Sequence, residues 1–195
     1  LRKQRRLKSQ ISVGSPPHEI LKAASAGGTD LIVLGTHGLT GVERLFMGST
    51  TLSVLQHATV PVLAVPRVGD ALAAPLSRSW PGARVLAAID FDAGVTDEVE
   101  SAARIAQWFG SSLLLAHVVS DIAAPAWLKA DVSAHDRIRI AQAEKQIGAL
   151  AAVARRHVKT DVRVVCGRIA DRVAALAATE GTDLVLTALR DRRGW

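Results

Sequence analysis

The 195-residue chain holds a single cysteine, Cys166, so it has no internal disulfide and no disulfide scaffold. Long apolar runs are also missing. Stretches such as Leu113 to Val119 and Val60 to Pro66 fall far short of the roughly 20 residues that a spanning helix needs, which excludes an integral helical membrane protein. No basic, apolar, then small-residue leader opens the chain, so nothing points to secretion and a reducing cytoplasm is the expected location. Aromatic residues make up only 4% of the chain, and none is interleaved with the basic start. That argues against a nucleic-acid or membrane patch there and for a solvated helix end. The sequence begins at Leu1, and its one methionine is Met47. A processed or truncated chain is therefore expected.

What is present is ordinary globular composition, 49% apolar and 22% charged, enough for one large domain or two small ones. The formal charge of +6 looks like a nucleic-acid signal until it is located. Arg2, Lys3, Arg5, Arg6 and Lys8 open the chain, and Arg190, Arg192 and Arg193 close it against Asp191. Between those ends 16 basic residues face 17 acidic ones, so the body is near neutral.

The chain repeats itself. At an offset of 153, residues 11–41 align with 164–194 without a gap, with identities at Gly14/Gly167, Ala24/Ala177, Gly28/Gly181, Thr29/Thr182, Asp30/Asp183, Leu31/Leu184 and Gly41/Gly194. A pattern shared at a long fixed offset means two copies of one module, each of domain size. The second copy reads as strand Arg84–Asp90, a helix capped by Thr96 with core stripe Val99, Ala102, Ala103, Ala106 and Phe109, and strand Leu113–Val119. A helix over about Ser133–His157, strand Asp161–Cys166, a helix over about Ile169–Thr179 and strand Leu184–Ala188 follow. Strands alternating with helices of ten or more residues indicate right-handed crossovers on a parallel sheet. The first copy supplies only later elements: a strand remnant Ile11–Val13, a helix opened by Ser15, strand Leu31–Leu34, a helix over about Ser49–His57 and strand Val60–Val65. Pro61 removes a ladder donor, which places that last strand at a sheet edge. The expected organisation is a first module over 1–66, a linker over 67–83 and a second module over 84–195 without its last helix and strand.

The segment that carries chemistry is Gly35-Thr36-His37-Gly38, nine residues, then Gly48-Ser49-Thr50-Thr51. It leaves a buried strand and opens a helix, the setting in which a glycine loop cradles phosphate. Glycines permit positive φ and close approach of phosphate oxygens. The helix-start amides, the helix dipole and the hydroxyls of Ser49 and Thr51 favour an anion. The bland alternative is a tight strand exit at Gly35 and Gly38 with Ser49 as an ordinary N-cap. No G-x-x-x-x-G-K-[ST] or G-x-G-x-x-G occurs, and the loop has no lysine to stabilise charge developing in phosphoryl transfer. A site of this kind holds a nucleotide better than it cleaves one.

Residues 30–66, DLIVLGTHGLTGVERLFMGSTTLSVLQHATVPVLAVP, resemble the C-terminal signature of the universal stress protein family, including its G-x2-G-x9-G-[ST] motif at Gly35, Gly38, Gly48 and Ser49. The resemblance implies an α/β fold: two flavodoxin-like, Rossmann-like modules of the adenine nucleotide alpha hydrolase kind, with five-stranded parallel sheets of order 3-2-1-4-5. It implies an ATP-binding stress-response regulator, with or without Mg2+, whose nucleotide lies at Leu34, Gly35, Thr36, His37, Gly38, Gly48, Ser49, Thr50 and Thr51. In the second module it carries over only Asp90, after the first strand, and Val118, on the second. There the counterparts of Gly35 and Gly38 are Ala188 and Asp191, and a carboxylate repels phosphate, so this module is expected not to bind.

The six histidines are scattered, so neither a metal site nor a catalytic residue is expected. His117 reads as a core or rim histidine, Cys166 as a small buried hydrophobe and the four tryptophans as packing residues. The expected partners are adenine nucleotide and a homodimer or module pair formed through the edge strand Val60–Val65. Two alternatives stay open: a nucleotide-free interaction module of the same fold, or a weak ATP hydrolase.

Overall fold

The computed structural model describes residues 7–36, 48–65, 82–120, 132–182 and 184–188, leaving aside the side chains of 132–135. His37, Gly38, most of the expected linker and the arginines of the C-terminal run lie outside the described residues, as do Trp80, Trp127 and Trp195. The chain forms two compact units.

The described part of the first unit holds α1 (Pro16–Ala26), β1 (Ile32–Gly35), α2 (Ser49–His57) and β2 (Val62–Val65). β1 and β2 pair in parallel, with Ile32 opposite Val62 and Gly35 opposite Val65. Pro61 stands just before β2, and its carbonyl accepts from Ile32 N–H. β2 pairs only with β1 among the described residues, so its other side is an edge. Residues 7–13 contain neither the solvated helix end nor the strand remnant expected at Ile11–Val13. Ile11 and Val13 are 96% and 97% exposed; a strand forms only where a neighbour accepts its ladder bonds, and the described residues offer none here.

The second unit holds β3 (Arg84–Ala88), α3 (Val95–Phe109), β4 (Ser112–Val119), α4 (Val132–Ala154), β5 (Thr160–Cys166), α5 (Ile169–Thr179) and β6 (Leu184–Thr187). Its sheet is parallel, in the order β5-β4-β3-β6. Counted within the unit, that is third, second, first, fourth. The strands observed are thus four in one sheet and two in the other, not five in each, while the order agrees over the places that are filled. The start of α3 also differs from expectation. Gly94, at φ 92°, is its N-cap, its carbonyl accepts from the N–H groups of Asp97 and Glu98, and Thr96 lies inside the helix.

The internal repeat has a physical meaning. α1 and α5 end in the same motif: a glycine in the left-handed region, Gly28 or Gly181, followed by a threonine whose N–H reaches back to Ala24 or Ala177. This six-to-one bond satisfies a carbonyl of the last turn and turns the chain into the following strand. Three of the seven repeated identities in each copy are thus a helix stop. The strands that follow differ in which face is covered. Leu86, Leu114 and Ala116 form a buried cluster against which Ala88 and the α5 residues Val173, Leu176 and Ala177 pack. Through the β3–β6 pairing Val185 and Thr187 share the face of Leu86 and Ala88, while Leu184 and Leu186 share the opposite one. Leu184 is 8% exposed and Val185 39%. In the first unit the equivalent pair is reversed: Leu31 is 47% exposed and Ile32 is buried beside Leu21 and Ala24 of α1. Burial of one repeated position therefore follows the helices at hand, not the residue type.

The core of the second unit is the set of buried positions on β3, β4, α3 and α4, among them Val85, Leu86, Leu113, Leu114, Leu115, Val99 and Ile147. At its amino-terminal rim Arg84 donates to Asp161 on β5 (2.9 Å) and to Glu180 at the end of α5, and Arg163 also meets Glu180 (3.0 Å). This network ties the first strand to elements far along the chain. Two expectations fail in detail: Cys166 is half-buried, not enclosed, and Trp108 projects into solvent, tilted against Phe109 at 4.9 Å. Among the described residues no helix is long and apolar enough to cross a membrane.

Candidate functional site

In the first unit β1 ends at Gly35, and α2 begins beside it. Thr36 N–H donates to Val65 O at 3.0 Å, continuing the parallel ladder one residue past the strand. Gly48 N–H then donates to Thr36 O at 2.7 Å, which joins the two ends of segment 37–47. The Thr51 hydroxyl donates to Gly35 O at 2.9 Å. The first turn of α2 is thereby held against the carboxyl end of β1, where open parallel sheets place their ligands.

Neither Gly35 nor Gly48 has the positive φ that a glycine loop permits. Gly48 has φ −57°, which any residue adopts; what requires glycine is the close approach of Thr36 O, 3.2 Å from where a β-carbon would stand. Gly35 has open space on its β-carbon side, with nothing within 4 Å. Ser49 is not the N-cap. Gly48 takes that position without a side-chain cap, and Ser49 is the first helical residue, exposed to solvent. Thr50 is half-buried, Thr51 buried, and Leu34 is half-buried on β1. The first-turn amides of Ser49, Thr50 and Thr51 have no acceptor within the helix. The first turns of α1, α3 and α5 carry acids, Glu19, Asp97 with Glu98, and Asp171 respectively, whereas those of α2 and α4 carry none. The partial positive charge at the start of α2 is therefore not offset by an acid of its own first turn. His57, at the other end of the helix, donates from Nδ1 to Ser53 O at 2.8 Å.

In the second unit Asp90 and Val118 meet at one cavity of about 300 Å3, also lined by Phe91, His117, Arg139 and Gln142. It lies at the carboxyl ends of β3 and β4. Asp90 accepts the N–H of Phe91 at 2.9 Å. His117 donates from Nδ1 to Ile89 O at 3.0 Å, and its ring stacks on Phe91 with centroids 4.1 Å apart. His117 is thus a rim residue. Arg139 pairs with Asp136 on its own helix at 3.2 Å. Burial, with the charge of Asp90 adding to it, pushes the Glu98 carboxyl above the usual carboxylate range. Sequence reasoning missed the Phe91–His117 stack and the α4 side of this cavity. The adjacency of Phe91 to Asp90 and of His117 to Val118 was the available signal for the former; α4 offered none, since helical periodicity does not say which exposed residues border a hollow.

The fold and this geometry define a parallel α/β protein with a glycine-bordered, acid-free helix start at the carboxyl end of a strand. The chain belongs to the universal stress protein family, whose model matches residues 2–66 and 83–195. The universal stress protein MJ0577 of Methanocaldococcus jannaschii is 40% identical over 62 residues, 32% of this chain and 38% of that protein. The universal stress protein YxiE of Bacillus subtilis is 44% identical over 52 residues, 27% of this chain and 35% of that protein. These matches span little more than a third of each relative's length. A universal stress protein structure from Archaeoglobus fulgidus superposes with a TM-score of 0.61 at 19% identity, covering 96% of this chain and 59% of that one, which establishes the fold.

Proposed function

We propose that this chain is a cytoplasmic nucleotide-binding regulator whose first unit grips the phosphates of ATP, with or without Mg2+, at the start of α2. The observation that carries the reading is the Gly48–Thr36 hydrogen bond, which sets acid-free first-turn amides beside the exit of a parallel strand. Gly35, Gly48, Ser49 and Thr50 form the phosphate side of the site, Leu34, Thr36 and Thr51 support it, and His37 and Gly38 belong to the loop by sequence. Binding biases a docking surface. That surface is the edge strand β2, with the sequence from Val60, meeting a second copy or the second unit. The organisation into modules over 1–66 and 84–195, joined by 67–83, is part of the same proposal. The second unit does not hold phosphate, since Asp191 replaces the glycine there.

Equilibrium binding of labelled ATP, repeated with Gly48→Val, tests it. Micromolar to millimolar affinity that falls in the variant is the expected result. No affinity, or affinity untouched by the change, leaves a nucleotide-free interaction module. Sustained turnover lost in Ser49→Ala would instead make the chain a weak hydrolase; the absence of a loop lysine speaks against that outcome.

A further inference from the structure

We infer that Thr51 is a positioning residue: its hydroxyl latches α2 to the exit of β1, and it acts on a bound phosphate only through the amides it holds in place. The inference rests on the nucleotide reading for its effect on affinity, while the latch itself is a property of the ligand-free chain. A hydroxyl carries one proton, and that of Thr51 is committed to Gly35 O at 2.9 Å, across 16 residues of sequence. The side chain is 4% exposed, so it is shielded from a ligand that meets the exposed Ser49. Sequence reasoning gave both hydroxyls the same task; the structure separates them.

The geometry explains why one hydrogen bond would not suffice. Gly48 N–H to Thr36 O is one hydrogen-bond attachment of the helix start, beside the packing of the fully buried Val54 further along α2, and one bond alone does not fix the orientation of the first turn. Thr51, three residues on, adds a second attachment on the neighbouring strand residue, Gly35. Two attachments at adjacent strand carbonyls fix both the position and the rotation of the first turn. The amides of Ser49 and Thr50 lie between those attachments in sequence, so they are held in place before any ligand arrives. Preorganised donors cost less ordering when a ligand binds.

Thr51→Val keeps the shape and removes the proton; Thr51→Ser keeps the proton and removes the methyl. In the whole chain without nucleotide, hydrogen exchange of the Gly48 amide is expected to quicken about tenfold in Thr51→Val, the counterpart of one net hydrogen bond, and to change less than about threefold in Thr51→Ser. ATP affinity by calorimetry should follow the same pattern. Ser49→Ala should weaken ATP and leave Gly48 exchange as it was. A larger effect of serine than of valine would mean that methyl packing and not the proton holds the turn, and unchanged exchange in Thr51→Val would mean no latch; either overturns the inference. Wild-type protein without ATP affinity sinks the nucleotide reading but leaves the exchange comparison to decide the latch. If Thr51→Val loses its far-UV circular dichroism, Thr51→Ala replaces it in the same comparison.

Discussion

The two motif glycines whose surroundings are described should respond oppositely to the same methyl group. A β-carbon at Gly48 would stand 3.2 Å from Thr36 O, tighter than an ordinary contact and aimed at the acceptor of the 2.7 Å bond that closes the neck. Relief requires α2 to back away from β1, which lengthens that bond. Alanine is also a poor N-cap compared with glycine. Together these cost about 1 kcal/mol in Gly48→Ala, from the capping term and the loss of part of one hydrogen bond. For a chain of this size that lowers the melting temperature by roughly 2–4 °C. At Gly35 nothing lies within 4 Å of the added methyl, and its φ is not among the positive ones. Gly35→Ala should leave the melting temperature within about 1 °C, since neither a clash nor a strained backbone is created. The proposed site places phosphate beside Gly35, so this variant should still weaken ATP binding. Scanning calorimetry of both variants, with and without nucleotide, reads all four quantities. Gly48→Ala melting with the wild type, or Gly35→Ala destabilising as much as Gly48→Ala, would refute the reasoning.

Three further outcomes follow from the second unit and the repeat. Glu180→Gln leaves Arg84 and Arg163 without their shared carboxylate and should cost about 2 kcal/mol in urea unfolding; no change would mean the network is solvated and idle. Gly28→Ala and Gly181→Ala each force a β-carbon into the left-handed region and should each destabilise their own unit by about 1 kcal/mol, so unequal effects would show that the repeated helix stop is not equivalent in the two copies. The raised Glu98 pKa means that the folded state holds this proton more tightly than the unfolded chain. Its contribution is most favourable at low pH and is lost as pH rises through the folded value. Glu98→Gln should therefore be stabilising relative to the wild type at pH 7, with the gain gone below pH 4, and thermal melts across that range would expose the opposite sign.

The order of helices and strands was legible because crossover units write themselves twice, as apolar runs of strand length and as helical stripes such as Val99, Ala102, Ala103 and Ala106. The bounds of α2 and α5 could be read to the residue, since their flanking glycines and turns are local signals. Ile11–Val13 misled because strand propensity is local while strand formation depends on a neighbour, which lies elsewhere in the chain or in another chain. The swapped burial of Leu31/Leu184 and Ile32/Val185 was likewise beyond any single-sequence pattern, as it depends on which helices cover each sheet face. At the candidate site the motif marked the turn where α2 starts beside the end of β1, but not the contacts made inside it. Gly48 is needed for close approach and not for positive φ, and the Thr51 proton is spent on Gly35 O. Both facts depend on where strand and helix meet across segment 37–47, a distance that spacing in sequence does not encode.

The central claim is most directly tested by titrating uniformly 15N-labelled protein with ATP and following the amide resonances. The account predicts saturable shifts, largest at Ser49 and Thr50 and abolished or strongly weakened in Gly48→Val, with the resonances of β5 unmoved. Amides at the start of α2 that stay still at saturating ATP would contradict it, whether or not other resonances respond.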